Sequence, residues 1–293
     1  MTIKEASFRL RAATANFYDL REAGAICDMV LEDLTGFSRV DRIIHDQEPL
    51  TAAQQSALAV SIKYLQLKMP VQYILGYAYF GELRLKVNNQ VLIPRPETEE
   101  LVDWVRQSVT EHHKGRETGL GLLDIGTGTG CIPLSLKKYF PDSHVFGCDI
   151  SDGALGVARH NSRLTGLAVS FFKTDVLQQL EAETLLGRLG PLDYIISNPP
   201  YIDASEKPVM EAHVLDFEPH LALFPEKSLP ATIFYEKIAF FAAKVLKPGG
   251  RLFLEMNPLY VKETVDLLKK AGGSLIEIKR DLQGKERMVN CLF

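Results

Sequence analysis

The sequence predicts a doubly wound α/β fold preceded by a small all-helical unit. Three observations carry that expectation. From Leu120 onward, strand-like apolar runs alternate with helical patterns. The first of those strands runs into a glycine-rich turn, Asp124-Ile-Gly126-Thr-Gly128-Thr-Gly130, where its helix begins. Residues 1–70 hold only two glycines, Gly24 and Gly36, few β-branched runs and repeated helical periodicity. With 293 residues, 46% of them hydrophobic, the chain has material for one large or two modest cores.

Taken in order, residues 1–75 read as the helical unit. Its clearest helix begins at Thr51, whose spacing to Gln54 is that of a capping box, with Leu58, Ile62 and Leu65 following on one face and Pro70 expected to end it. Residues 76–95 read as a connector built on a β-hairpin. Leu83, Leu85 and Val87 alternate with polar residues, Asn88-Asn89 offers a turn, and Val91-Leu92-Ile93 is a second apolar run. After Pro94-Arg95-Pro96, Glu97 to Glu100 supply the acidic first turn of a helix carrying Leu101, Val102, Trp104 and Val105. Residues 96–293 then hold the α/β series: strands at 120–125, 144–148, 168–172, 192–197 and 251–255, helices at 132–139, 153–164, 231–246 and 259–271, and closing strands at 275–279 and 288–292.

Charge and composition exclude several classes. Lys and Arg total 33 against 37 Asp and Glu, and the deficit is spread as −1 over residues 1–70 and −3 over the rest, so neither part is a basic nucleic-acid clamp. The four cysteines (Cys27, Cys131, Cys148, Cys291) lie far apart without CxxC spacing, and the seven histidines show no HxxxH pattern. This is reducing, cytoplasmic usage with no disulfide framework and no zinc site. The first residues carry scattered charges and no apolar core of a signal peptide, and no uncharged apolar stretch approaches ~18 residues, so secretion and membrane spanning are not expected.

The glycine turn lets the backbone approach a ligand at the strand ends; the bland alternative is a tight turn without one. A dinucleotide fingerprint would place its third glycine at position 131, which is Cys131, so a nicotinamide cofactor fits poorly. Asp149 ends the second strand, 21 positions after Gly128, where a carboxylate can accept from both hydroxyls of a ribose or serve as a helix N-cap. At the end of the fourth strand stands Asn198-Pro199-Pro200-Tyr201. Its prolines remove two amide donors and stiffen the chain. The Asn198 side-chain oxygen and the Pro199 carbonyl form an acceptor pair that, with Tyr201 as an aromatic wall, suits a planar NH2 group; alone, the stretch also reads as a stiff proline turn.

Together, Asp-x-Gly-x-Gly-x-Gly and Asn-Pro-Pro-Tyr resemble the class I S-adenosylmethionine-dependent methyltransferases that act on planar amino or amide nitrogens. Pro70-Val-Gln-Tyr73-Ile-Leu-Gly76, Val91-Leu-Ile-Pro94-Arg95-Pro96-Glu97-Thr98-Glu99, Cys131-Ile132 and Asp193-Tyr-Ile-Ile-Ser197, with Asp281, Gly284 and Arg287 further on, are similar to the HemK-type release-factor glutamine N5-methyltransferases. Two segments depart from that pattern: Glu226-Lys-Ser-Leu-Pro230-Ala, where the family often has Gly-Asp-Gly-Leu, and Met256-Asn257-Pro258 after Glu255, where it commonly has an Ile-Gly type turn.

The resemblance implies a Rossmann-like methyltransferase domain and S-adenosyl-L-methionine as cofactor, with no metal. It implies that Gly126, Thr127, Gly128, Thr129 and Gly130 approach that cofactor, that Asp124 meets its ammonium and Asp149 its ribose, that Asp175 and the Val176 backbone contact its adenine, and that Asn198 contacts the cofactor as well as the substrate. A solvated loop carboxylate is an equal reading of Asp175. Asn198, Pro199, Pro200 and Tyr201 are the expected substrate and catalytic residues, and the implied acceptor is the glutamine of the Gly-Gly-Gln tripeptide of bacterial release factors. The enzyme is then a monomer whose partner is a folded protein, with no membrane and no direct nucleic-acid contact. Two other functions stay open: an adenine-N6 DNA methyltransferase, which needs a basic DNA-tracking face, and a non-catalytic, cofactor-bound adaptor of a translation factor. Arg95 to Glu99 read equally as a substrate contact or a helix start. Glu218-Pro219 and Leu221 to Leu223 read as an anchored loop, Trp104 as core, and His112-His113 beside Lys114 as a solvated helix end.

Overall fold

A computed structural model describes residues 1–15, 17–113, 118–226 and 228–293, with the Leu180 side chain left aside. The chain forms two compact units, one of Met1–Tyr77 with Met210–Phe217, the other of Ala78–Val209 with Glu218–Phe293.

The first unit packs α1 (Ile3–Thr14), α2 (Leu20–Thr35), α3 (Arg39–Ile44), α4 (Ala52–Gln66) and α5 (Val71–Leu75). Three of these helices open on reciprocal caps, Thr2 with Glu5, Ser38 with Asp41 and Thr51 with Gln54, which occupy amides that a helix start leaves unpaired. Ile3, Ala6 and Leu10 recur at helical spacing and meet Val30, Leu58 and Leu65 in one core. The helix from Thr51 ends at Gln66 rather than running to Pro70. Lys68 turns into the left-handed region, at φ 61°, and Pro70 instead opens α5.

The hairpin pairs different strands from those expected: β1 (Tyr77–Phe80) and β2 (Leu83–Lys86), with Gly81 at φ 52° in the turn. Asn88 to Val91 is a separate turn closed by its own backbone bond, and Val91 and Ile93 are buried as loop anchors, so their apolar spacing reflects the core and not a strand. Then come α6 (Pro96–His113), β3 (Gly121–Ile125), α7 (Cys131–Tyr139), β4 (His144–Asp149), α8 (Asp152–Thr165), β5 (Ser170–Lys173), α9 (Gln179–Leu189) and β6 (Leu192–Ser197). Beyond the 3₁₀ turn Ala204–Val209 lie α10 (Ala212–Phe217), which belongs to the helical unit, α11 (His220–Leu223), α12 (Ile233–Val245), β7 (Leu246–Glu255), α13 (Val261–Lys270), β8 (Ser274–Arg280) and β9 (Glu286–Leu292). The helix α9 and the helical turns after residue 203 are additions to the sequence reading.

The seven-stranded sheet has the order β5-β4-β3-β6-β7-β9-β8, parallel from β5 to β7 and closed by the antiparallel β9. Alternate residues feed two cores, as the period of two in a strand requires. Leu122, Tyr194, Ile196 and Phe253 face a core shared with α6, α7 and the hairpin, and Trp104 packs edge-on against Phe253 at 5.2 Å. Leu123, Ile125, Ile195, Leu252 and Leu254 face the other core, with α12. The end of α6 is not merely solvated: the His112 Nδ1–H donates to the Ser108 carbonyl at 2.7 Å, which leaves Nε2 to accept from Arg251 at 2.9 Å. Lys114 and Lys227, which fall in two segments singled out in the sequence, lie outside the described residues. No helix among the described residues is long and apolar enough to cross a membrane.

Candidate functional site

The strand order reverses at β3, whose neighbours are β4 and β6, and ligands of such sheets bind outside the strand ends at this point. Ile125 registers with both Cys148 and Ser197, and the Ser197 hydroxyl donates to the Ile125 carbonyl at 2.6 Å, so the glycine loop and the Asn-Pro-Pro-Tyr corner leave the sheet side by side. Gly126, Gly128 and Gly130 all have positive φ, at 76°, 52° and 80°. A Cβ at Gly128 would meet nothing within 4 Å, so the loop faces open space there.

Several bonds set the loop. The N–H groups of Gly126 and Thr127 donate to the Cys148 carbonyl, and the Gly128 N–H donates to Asp149 Oδ2 at 2.9 Å. Thr129 accepts the Cys131 N–H on its hydroxyl, and its carbonyl takes a hydrogen bond from Asn161. Asn161 is fully buried and also exchanges two hydrogen bonds with the backbone of Lys86 in β2, tying the hairpin to the loop. Thr127 is buried against Gly147, where a Cβ would come within 2.8 Å of its hydroxyl.

Asp124 lies beneath the loop, 1% exposed, and neither of its oxygens has a hydrogen-bond partner; nor does the Thr127 hydroxyl. Burial pushes the Asp124 carboxyl up to about 7; the Thr127 hydroxyl, near it but outside hydrogen-bond geometry, opposes the shift, and the Asp149 charge adds to it. Asp149 is raised too, chiefly by burial, while the N–H groups of Ser151 and Gly128 oppose the shift. Each Asp149 oxygen holds one backbone N–H and keeps further acceptor capacity for a hydroxyl. Asp175 is engaged in its own turn, its Oδ1 accepting the Leu177 N–H and its N–H donating to Glu181, and Val176 packs on the second core.

The Asn-Pro-Pro-Tyr corner is backed by a buried polar network that sequence reasoning missed. The Asn198 Nδ2 donates to the Thr98 hydroxyl at 3.0 Å, Thr98 donates to Glu255 Oε2 at 2.7 Å, and the Tyr201 hydroxyl donates to Glu255 Oε1 at 2.8 Å. Burial raises both the Glu255 carboxyl and the Tyr201 phenol, while Arg287 lowers both. Arg287 in turn pairs with the fully buried Asp281 carboxylate at 3.3 Å. Asn257, in the departing Met256-Asn257-Pro258 segment, donates to the Tyr201 carbonyl and to Glu206, fixing the exit from the corner. Arg95 reaches the buried Glu218, whose other oxygen takes the Ile93 N–H, so the Arg95 to Glu99 run both starts α6 and braces the loops around the corner. One sequence signal was available: Glu255 closes the apolar run Leu252-Phe-Leu, and a carboxylate ending a buried strand needs partners.

The donor set fits an S-adenosylmethionine-type ligand. A cationic ammonium would satisfy the orphaned Asp124 oxygens, a ribose would meet Asp149, and the Gly128 backbone leaves room for close approach. Asn198 Nδ2 is held by Thr98, and no group among the described residues donates to Asn198 Oδ1.

Comparison with known proteins bears on both units. The family model described as PrmC N-terminal domain matches residues 2–76, and that described as Methyltransferase small domain matches residues 105–220. A release factor glutamine methyltransferase from Flavobacterium psychrophilum is 37% identical over the whole of both chains, and one from Bacteroides thetaiotaomicron is 38% identical over 96% of each. Among solved structures, the Thermus thermophilus 16S rRNA N2 G1207 methyltransferase in complex with AdoMet and guanosine is 20% identical, with a TM-score of 0.51 over 74% of this chain and 49% of that one, a likeness of fold.

Proposed function

Because the chain belongs to the release factor glutamine methyltransferase family, we infer that it transfers a methyl group from S-adenosyl-L-methionine to the side-chain amide nitrogen, N5, of the glutamine in the Gly-Gly-Gln tripeptide of bacterial release factors. The observation that supports this chemistry most directly is Asn198, oriented by Thr98, in the corner that follows the strand paired beside the buried Asp124 carboxylate.

The bound cofactor supplies an electrophilic methyl group on a sulfonium. An amide nitrogen is a weak nucleophile, because its lone pair is delocalised into the carbonyl. Asn198 Oδ1 and the Pro199 carbonyl each accept one hydrogen of the glutamine NH2, which turns the nitrogen toward the methyl and enriches its electron density. Positioning of this kind is worth up to ~7–11 kcal/mol in favourable cases. The N–H of the methylated amide is acidified, and its proton passes to solvent. Pro200 stiffens the corner, and the Tyr201 ring lines it. Gly126, Thr127, Gly128, Thr129 and Gly130 would cradle the cofactor, Asp124 and Asp149 would hold its ammonium and ribose, and Asp175 and Val176 would contact its adenine.

We assign residues 1–75 to recognition of the release factor, the 76–95 segment to linkage, and 96–293 to transfer. The enzyme acts as a cytoplasmic monomer without direct contact to nucleic acid. The test is titration of the protein with S-adenosylmethionine and with NAD, then incubation with a purified release factor and labelled cofactor. Binding of S-adenosylmethionine with transfer of label supports the reading, and NAD binding alone overturns it. Cofactor binding with no transfer of label would favour the adaptor.

A further inference from the structure

We propose that Thr98 is a positioning residue for methyl transfer, which holds the NH2 edge of the Asn198 carboxamide and so turns Oδ1 toward the substrate; the assignment rests on the function proposed above. Thr98 sits buried in the first turn of α6, 100 positions before Asn198. A threonine hydroxyl carries a single proton. That proton goes to Glu255 Oε2 at 2.7 Å, while Glu255 Oε1 takes the Tyr201 hydroxyl proton at 2.8 Å. Toward Asn198, Thr98 can therefore only accept, and it accepts the Nδ2 hydrogen at 3.0 Å.

Donation thus runs one way, from Asn198 through Thr98 to Glu255. A carboxamide rotated by half a turn would set Oδ1 against the Thr98 oxygen, acceptor against acceptor, and would present its own NH2 to the NH2 of the glutamine. The first contact costs a buried hydrogen bond and the second repels the substrate. Glu255 keeps the polarity by accepting on both oxygens, one from Thr98 and one from Tyr201; burial raises its carboxyl, and these two hydrogen bonds and the charge of Arg287 oppose that shift.

Thr98→Val removes the hydroxyl at nearly constant volume. With intact release factor as substrate, kcat is expected to fall about tenfold, the weight of one well-placed hydrogen bond, while KM and the affinity for S-adenosylmethionine stay within about twofold. Thr98→Ser, which restores the hydroxyl, is expected to return kcat to within about threefold of wild type. A second reading needs no catalysis: the side-chain NH2 signal of Asn198 in the nitrogen-15 NMR spectrum, identified by its absence in Asn198→Ala. Its hydrogens are expected to exchange slowly in wild type and Thr98→Ser and at least tenfold faster in Thr98→Val. Should the valine variant fail to fold, Thr98→Ala gives the same two readings without overpacking. Unchanged exchange, or an unchanged kcat, overturns the proposal. Slow exchange that depends on Thr98, in a wild-type protein that leaves the glutamine unmethylated, upholds the orienting contact and overturns the substrate assignment instead.

Discussion

Asp124→Asn is expected to stabilise the ligand-free protein at alkaline pH while weakening its hold on S-adenosylmethionine. Asp124 is buried with neither oxygen bonded, and its carboxyl is pushed from the usual 3.8 up to about 7. Between those values the folded state binds a proton that the unfolded chain has lost. Its contribution to stability is therefore fully present below pH 3.8, declines as pH rises, and is gone above about pH 7. At about 1.4 kcal/mol per pH unit the whole window amounts to on the order of 4 kcal/mol, and the stretch from about pH 5.5 to 7 to on the order of 2 kcal/mol. The neighbouring Cys131 thiol, pushed up to about 12, stays neutral throughout. Asparagine has no charge to bury, so urea denaturation at about pH 5.5, 7 and 8.5 should show this slope in the wild type and lose it in the variant, with the variant the more stable at pH 8.5. A bound ammonium favours the carboxylate, so wild-type affinity for the cofactor should rise by nearly tenfold per pH unit up to about pH 7, and the variant should bind weakly and without that dependence. A variant less stable than wild type at pH 8.5, or one with unaltered cofactor affinity, would refute the reasoning.

Asn198→Ala removes one of the two acceptors for the glutamine NH2 and is expected to lower kcat by ~10²- to 10³-fold, by analogy with loss of an oxyanion-hole donor. Calorimetry should find cofactor binding within about twofold, and turnover within a few-fold of wild type would exclude Asn198 from the role. Arg95→Ala leaves the Glu218 carboxylate, whose side chain is 0% exposed, without its cation. Its expected cost is about 3–5 kcal/mol in urea denaturation, partly recovered by adding Glu218→Gln; a loss under about 1 kcal/mol would show that the pair does not brace the loops. Removing residues 1–75 is expected to weaken binding of whole release factor at least tenfold more than binding of S-adenosylmethionine, measured by calorimetry on the truncated chain once its circular dichroism shows the α/β unit folded. Equal losses would count against the recognition role.

The features legible in the sequence are those whose cause is local. The glycine loop was visible because positive φ at Gly126, Gly128 and Gly130 demands glycine at fixed spacing. The α4 start was visible because Thr51 and Gln54 satisfy amides three residues apart. The strands of the sheet were visible because both faces are covered, which writes continuous apolar runs into the chain. What escaped depends on distant partners. Thr98 meets Asn198 and Glu255 across 100 and 157 positions, and Asn161 reaches Lys86 across 75, so no spacing rule could join them. The hairpin was misplaced because Val91 and Ile93 carry a strand's apolar pattern while serving as anchors of a loop, whereas Gly81, a lone glycine, made the actual turn. The helical turns between Ala204 and Leu223 are four to six residues long, too short for periodicity to declare them.

The central claim is that the corner at Asn198 methylates a glutamine amide, and peptide mass spectrometry tests it most directly. The enzyme is incubated with S-adenosylmethionine and, separately, with purified release factor, its Gln→Asn variant in the Gly-Gly-Gln tripeptide, and duplex DNA. A gain of one CH2, about 14 Da, confined to that glutamine and absent from the asparagine variant and from DNA is the expected result, because one missing methylene withdraws the amide from both acceptors and from the methyl group. Methyl on DNA adenine, or on the release factor at any other residue, would contradict it.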